Sequence, residues 1–473
     1  MLYCPHMIAS WKKLIALIGV VAITGQGCTK ALPQATVNAS KPVTLRVWGV
    51  VDDYNVYMPA MESWRKLHTN VTIEYKRFRL EEYETALLNA FAEDKGPDIF
   101  LIHNDWTGEY MSKITPMPRQ TSTAYRVTTG GVRPQLTWEL RTEPTVSLIE
   151  IKNQFADTVA RDLVRTVNVG TADKPVNEER AMGVPVGIDT LAMYYNKDLL
   201  NAANIPTPPE DWGQFTEQAK KLTQIDGEGK LVRTAASIGT ASNVERSVDL
   251  IAALMMQNGT IMMDENGYPS FDRIPGGVTE ASFPPAYRAL EFYTDFANPN
   301  KDTYTWDATQ PNSYDAFIQG KTAFFFGYAY HGDLIRARAP RLNLGIAKLP
   351  QIGGRPPINI ANYWYFTVAR KSVSQDLSWS LLTHLSKAEQ QKAILDIAKR
   401  PASRKALLTE QLNDERVGIF ASQVLTATNW YQGNNITATE DALRTMVDDI
   451  VAGRAQVNEA VKRAVDAVSQ TIR

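Results

Sequence analysis

The side chains that most often carry reactions are few here and poorly spaced for it. The five histidines stand at positions 6, 68, 103, 331 and 384. None is paired at metal-ligand spacing, so no zinc site is expected. No serine sits in a nucleophile-elbow sequence. Gly320-Lys321-Thr322 ends like a phosphate-binding loop, but Asp315 stands where that pattern needs glycine. A strand start is expected there instead. Asp264-Glu-Asn-Gly267 opens like a calcium loop, yet Pro275 occupies the closing acidic position, so a hairpin turn is expected. Acidic residues are plentiful, and nothing singles out a carboxylate pair of the glycosidase kind. No catalytic residue, metal or cofactor is expected. What remains are carboxylates close to aromatic rings: Asp52 and Asp53 shortly after Trp48, and Asp105 beside Trp106. Ring faces take apolar surface, and carboxylates take hydrogen bonds.

The chain that must position these groups has 473 residues, room for two or three domains. It is 44% hydrophobic and 21% charged, which excludes a disordered chain, a collagen-like fibre and a polytopic membrane protein. Fifty Lys+Arg against 51 Asp+Glu give a net charge of −1. That balance argues against nucleic acid as a partner, because phosphate binding needs clustered positive charge. Two cysteines, Cys4 and Cys28, cannot form a disulfide scaffold. Lys12 and Lys13 precede the apolar run Leu14 to Thr24. At about 1.5 Å per residue that run covers about half of a membrane core, as the apolar part of a signal peptide does. Gly25-Gln-Gly-Cys28 then resembles the lipobox of bacterial lipoproteins, which implies acylation of Cys28; an uncleaved anchor or a buried cysteine are the alternatives. Thr29 to Pro42 reads as a flexible tether.

From residue 43 the pattern alternates strand and helix. Val43 to Trp48, Val71 to Tyr75 and Pro97 to Ile102 read as strands, with helices over Tyr57 to Leu67 and Leu80 to Ala92. This predicts a parallel sheet covered on both sides, with ligand-binding loops beyond the strand ends, after Trp48 and after Ile102. Residues 116–181 show weak periodicity apart from a helix over Phe155 to Val164, and are expected to be a mostly irregular insertion. Further on, Leu191 to Tyr195 is a strand and Asp211 to Leu222 a helix. Val244 to Met256 is an apolar helix capped by Ser242 or Asn243. Phe324 to Phe326 belong to a core strand. Two amphipathic helices end the chain, the first opened by a capping box at Thr437-x-x-Glu440.

Three segments together resemble the extracellular solute-binding proteins of ABC importers, in particular the sugar-binding, maltodextrin-binding-like group. The first is Gly183-Val-Pro-Val-Gly-Ile-Asp-Thr-Leu-Ala-Met-Tyr-Tyr-Asn-Lys-Asp-Leu-Leu200, continuing through Pro208-Pro-Glu-Asp-Trp212. The second is Ala316 to Gly327 followed by Asn343 to Pro350. The third is Leu45-Arg-Val-Trp48 with Pro97-Asp-Ile-Phe100. The resemblance implies an α/β, two-lobed periplasmic-binding-protein-like fold of type II, with hinge crossings near Pro185 to Thr190, near Asn359 to Phe366 and around Asn413. Residues 1–27 would be a signal peptide and 28–42 a lipidated tether. Lobe 1 would hold 43–185 and 360–412, with the insertion at about 116–181, and lobe 2 would hold 186–359 and 413–473.

The resemblance further implies a carbohydrate, mono- or oligosaccharide, trapped between the lobes by hinge closure. It implies permease subunits as partners, a lipid anchor on the outer face of the membrane, and a monomer. Asp52, Asp105 and Asp189 fall where the family uses acids for hydroxyls, and Tyr330 where it carries a stacking ring. Trp106 replaces a basic residue. Trp48, Asp53, Asn243, Trp364 and Trp430 complete the candidate ligand set. The alternatives are an extracellular carbohydrate-active enzyme, a scaffold protein that lost transport, and a binding protein for a polyamine or peptide.

Overall fold

In a computed structural model the described residues are 32–130, 134–171, 173–276 and 282–472. The expected signal peptide, residues 1–27, and Cys28 lie outside them. Among the described residues, two five-stranded sheets organise the fold. The first has the order β2 (Val71–Phe78), β1 (Val43–Val50), β3 (Ile99–His103), β16 (Trp364–Val368), β8 (Val184–Pro185). β1 runs parallel to β2 and β3, as the alternating pattern predicts; β16 returns antiparallel to β3. Leu45 and Val47 point from one face of β1 into the core, and all of Ile99 to Ile102 is buried. A strand covered on both faces needs no alternation. The second sheet has the order β11 (Gln224–Ile225), β12 (Leu231–Ala236), β13 (Thr322–Gly327), β10 (Ala192–Asn196), β14 (Leu344–Lys348). Phe324, Phe325 and Phe326 are buried in it, and Thr322 starts β13 where the Gly-Lys-Thr sequence stands.

A small sheet joins the two lobes, in the order β17 (Ala427–Thr428), β15 (Asn359–Asn362), β9 (Asp189–Thr190). The chain passes between the large sheets along each of its strands. After Asn413, Arg416 pairs with Asp333 and Phe420 packs with Tyr194 and Phe325 of the second lobe, while Ala421, Val424 and Ala427 pack in the first sheet's core, so this segment touches both lobes before β17. The C-terminal helices Ile436–Val451 and Val457–Ser469 cover the second sheet's core through Leu443, Met446, Val461 and Val465.

Three expectations are corrected. The 116–181 region is ordered: β4 (Gln120–Thr129) pairs with β5 (Gln135–Pro144), β6 (Val164–Asn168) with β7 (Asn177–Ala181), and helices Leu148–Gln154 and Asp157–Leu163 lie between. Its strands are hard to read because β4 buries Thr121 and Thr123 where a period-2 pattern would show apolar residues, and β5 is mostly exposed. Next, the tether is not wholly free, since Gln34–Ala39 is a helix that rests on β4 and β5 with Thr36 buried. Finally, two caps differ. The apolar helix begins at Ser247 after Arg246, whose φ is 56°, and Asn435 rather than Thr437 caps the helix Ile436–Val451 by accepting from the Ala438 N–H.

Candidate functional site

Strand direction places the two loop clusters face to face. β1 and β3 end at one edge of the first sheet, where β16 begins, so Trp364 pairs with His103. β12 and β13 end together at one edge of the second sheet. Both edges meet the linking sheet. Asn104, just after β3, donates its backbone N–H to Tyr363 O and its amide to Ala361 O. From the other lobe, the Ala329 N–H after β13 donates to the Asp189 carboxylate. The linking strands thus floor a cleft between the carboxyl ends of two sheets, the usual ligand position in α/β folds.

The wall from the first lobe is aromatic. Trp364 and Trp106 meet edge to face at 5.3 Å, and Trp106 stacks on Tyr110 at 5.7 Å. His103 lies 5.3 Å from Trp364, and its Nδ1 is 3.2 Å from the Asp105 carboxylate. Trp48 packs on Phe78 at 4.5 Å, with the Lys76 ammonium 5.2 Å from the Trp48 ring. Asp53 is exposed and pairs with Arg77 at 2.8 Å. It precedes the helix Tyr54–Arg65 but makes no capping hydrogen bond. Asp52 is only 9% exposed. Both its oxygens accept from the Arg400 guanidinium at 2.6 Å, and Tyr57 donates its hydroxyl at 2.8 Å. A bidentate charged pair of this kind is among the strongest side-chain contacts.

At the floor, Asp189 accepts from the backbone N–H groups of Thr190 and Ala329, each at 2.9 Å. It sits at the start of the helix Ala329–Arg338, where an anion is favoured. Burial nevertheless dominates and pushes its carboxyl up to about 7, against the pull of those N–H groups and of Arg400.

The wall from the second lobe is mixed. Tyr330 is 40% exposed and stacks on His331 at 4.0 Å. Next to it Tyr328 donates to Asp249 at 2.7 Å, and Arg246 pairs with the same carboxylate at 2.6 Å. A polar cavity of about 210 Å³ opens here, lined by Ser242, Glu245, Arg246, Asp249, Glu440 and Arg444. Each guanidinium in it already has a carboxylate partner: Arg246 has Asp249, and Arg444 has Glu440 and Asp441. Asn243 is turned away from this role. Its amide donates to Asp307 O and Gln310 O, and its oxygen accepts from Thr240 and Trp306. All its hydrogen-bonding capacity is used in holding that loop. Trp430 packs against Tyr431 in the segment that follows β17. The next turn touches the first lobe, and a methyl group on Gly108 would collide with the carbonyl of Gly433. Trp106 and Trp430 therefore flank the same contact between lobes.

Sequence reading missed Arg400, His103 and Arg246. Arg400 lies 348 residues from Asp52, and no local pattern could pair them. It also missed Asp162, a buried carboxyl from the insertion beneath the second passage. One Asp162 oxygen accepts from Tyr363 at 2.8 Å and Thr158 at 3.1 Å, while the other has no partner among the described residues. Burial pushes Asp162 up to about 6. A carboxyl raised on folding favours the native state below its unfolded pKa and loses that contribution as pH rises through the native one. Asp162→Asn is therefore expected to stabilise the protein at pH 8 by roughly 1–3 kcal/mol, with the gain vanishing towards pH 4. Urea unfolding at the two pH values checks this, and an equal effect at both would contradict it.

Comparison with known proteins follows the same lines. The family model described as bacterial extracellular solute-binding protein matches residues 60–416. A putative binding protein of Brucella abortus is 24% identical over 236 residues, 48% of this chain and 53% of that protein. The chain thus spans about half the length of such relatives. A maltooligosaccharide ABC transporter solute-binding lipoprotein of Streptococcus pneumoniae is 23% identical over 299 residues, 62% of this chain and 66% of that one. Among solved structures, a cyclo/maltodextrin-binding protein complexed with maltotetraose superposes with a TM-score of 0.67 at 18% identity, covering 92% of this chain and 98% of that one. The GacH receptor of Streptomyces glaucescens gives 0.65 at 18% identity, covering 91% and 98%. At such identities the likeness establishes the two-lobed fold.

Proposed function

Because the chain belongs to the bacterial extracellular solute-binding proteins, which bind without chemistry, we propose that it captures a carbohydrate between its lobes and presents it to an ABC permease. The observation that carries this reading is the pair of unlike walls: the Trp106–Trp364 rings on one lobe, and Tyr330 beside a polar cavity on the other. Sugars offer apolar C–H faces and hydroxyl edges, and these two walls suit them in turn. The paired state of Arg246 and Arg444 fits a neutral ligand better than an anionic one. The names of the maltooligosaccharide- and maltodextrin-binding relatives point the same way.

In this reading Trp48, Trp106, Trp364, Tyr330 and Trp430 supply ring faces, and Asp53 and Asp105 take hydroxyls. Asp52 and Asp189 act by positioning, the first through Arg400 and the second through the helix that carries Tyr330. The lobes close about the three short linking strands. Closure is driven by contacts that the sugar makes only in the closed state. Acylated Cys28 holds the monomer at the outer face of the membrane.

Thermal unfolding against a panel of mono- and oligosaccharides tests the reading. A ligand at a hundred times its Kd adds about 2.7 kcal/mol, enough for a dose-dependent shift of the transition. The sugar is expected back unchanged. A flat response across the panel, with a shift from a peptide or polyamine, would replace the carbohydrate.

A further inference from the structure

The N-terminal segment is fastened to the molecule at a defined place. The helix Gln34–Ala39 buries Thr36 and lies on the β4–β5 ribbon. Asn70 donates its amide to the carbonyls of Ala39 and Lys41, which clamps the exit of that helix. The ribbon is fixed in turn to the start of the first sheet. Arg126 donates its N–H to Leu67 O, and His68 Nδ1 lies 3.0 Å from Ala124 O, just before β2. β1 and β2 begin at this edge and end at the cleft. Helix and ribbon therefore occupy the pole of the first lobe remote from the ligand.

From this we infer that the ribbon and its docked helix form the bilayer-facing surface of the protein and orient the first lobe's pole towards the membrane. The inference rests on the proposed anchoring through Cys28. The covalent reach decides it. From Cys28 to Val43 a free tether could extend about 50 Å, whereas from Cys28 to Gln34 the chain spans at most about 21 Å. Docking removes more than half of the slack. An acylated Cys28 lies at headgroup depth, so the ribbon cannot leave the surface by more than that shorter length while the helix stays docked. The exposed face suits the position. Leu32, Val37 and Leu136 are uncovered apolar groups, and Lys41 and Lys66 are exposed cations. Anionic headgroups attract such cations. The ribbon's acids Glu139 and Glu143 are already bound by Arg141 and Tyr125.

The full chain, expressed with its leader and purified with its lipid, tests this in phosphatidylethanolamine–phosphatidylglycerol vesicles carrying a headgroup-linked energy acceptor. With Cys4 removed with the leader and Cys28 acylated, one introduced cysteine takes one donor dye. Glu139→Cys labels the ribbon. Glu228→Cys labels the turn before β12, at the opposite pole of the second lobe. The ribbon dye is expected to lose most of its emission and the second dye little. Thr36→Arg undocks the helix without touching either core and should restore the ribbon dye towards the other. Mass spectrometry of the N-terminal peptide reports acylation independently. An acylated protein whose two dyes are quenched alike, or whose ribbon dye ignores Thr36→Arg, overturns the inference alone. An unacylated protein that does not float with vesicles overturns the anchoring and the inference together.

Discussion

Replacing Arg400 with methionine is expected to destabilise the protein by about 3 kcal/mol, because it strands a buried carboxylate. Asp52 has two oxygens, and Arg400 donates to both at 2.6 Å. After the substitution only the Tyr57 hydroxyl and little solvent remain around that charge. Methionine keeps most of the stem's packing, so the loss reports the charge pair rather than a cavity. The double variant Asp52→Asn with Arg400→Met should recover much of the loss, since a neutral amide is far cheaper to bury. Urea unfolding of the single variants and the double variant measures the coupling. A single-variant loss below about 1 kcal/mol would mean that water reaches the pair and it behaves as a surface bridge. Binding should weaken as well. Arg400 ties the loop after β1 to the strand leading into Asp189, where the Ile188 N–H donates to Pro401 O.

The other large effect is on affinity. Trp364→Ala is expected to weaken sugar binding by about 2–3 kcal/mol, roughly 30- to 150-fold in Kd. The ring starts β16 at the rim of the cleft and is only partly buried, touching Trp106, His103 and Tyr83. Its removal deletes a stacking face and also frees Trp106 from its edge contact, so the remaining ring is less well oriented. Trp364→Phe should fall between the two, because a smaller ring retains the face but not the area. Titration calorimetry with the sugar found in the thermal panel measures each Kd. Lowered stability with unchanged affinity would make the ring a core element and move the ligand towards Trp430.

Most of the frame was legible in the sequence because it rests on local periodicity. The helix at Leu80–Ala92 shows apolar residues at helical spacing, and β1, β3 and the Phe324–Phe326 strand show the patterns of half-buried and fully buried strands. The loops after Trp48 and Ile102 were legible as neighbours at one sheet edge because parallel strands present their carboxyl ends together. The ribbon was not, since a two-stranded sheet that buries threonine and exposes its second strand has no hydrophobic period to read.

The site divides in the same way. The sequence by itself determined the residue types, their strand-end positions and the kinship that made a binding cleft the expectation. Only the tertiary structure decided which of those residues are free. It paired Asp52 with Arg400, turned Asn243 inward and set Asp189 on a helix start. It also laid the tether on the ribbon. A carboxylate looks the same in sequence whether it meets solvent, a ligand or a guanidinium hundreds of residues away. Burial and pairing are properties of the fold's long-range contacts, and those depend on geometry that no local window contains.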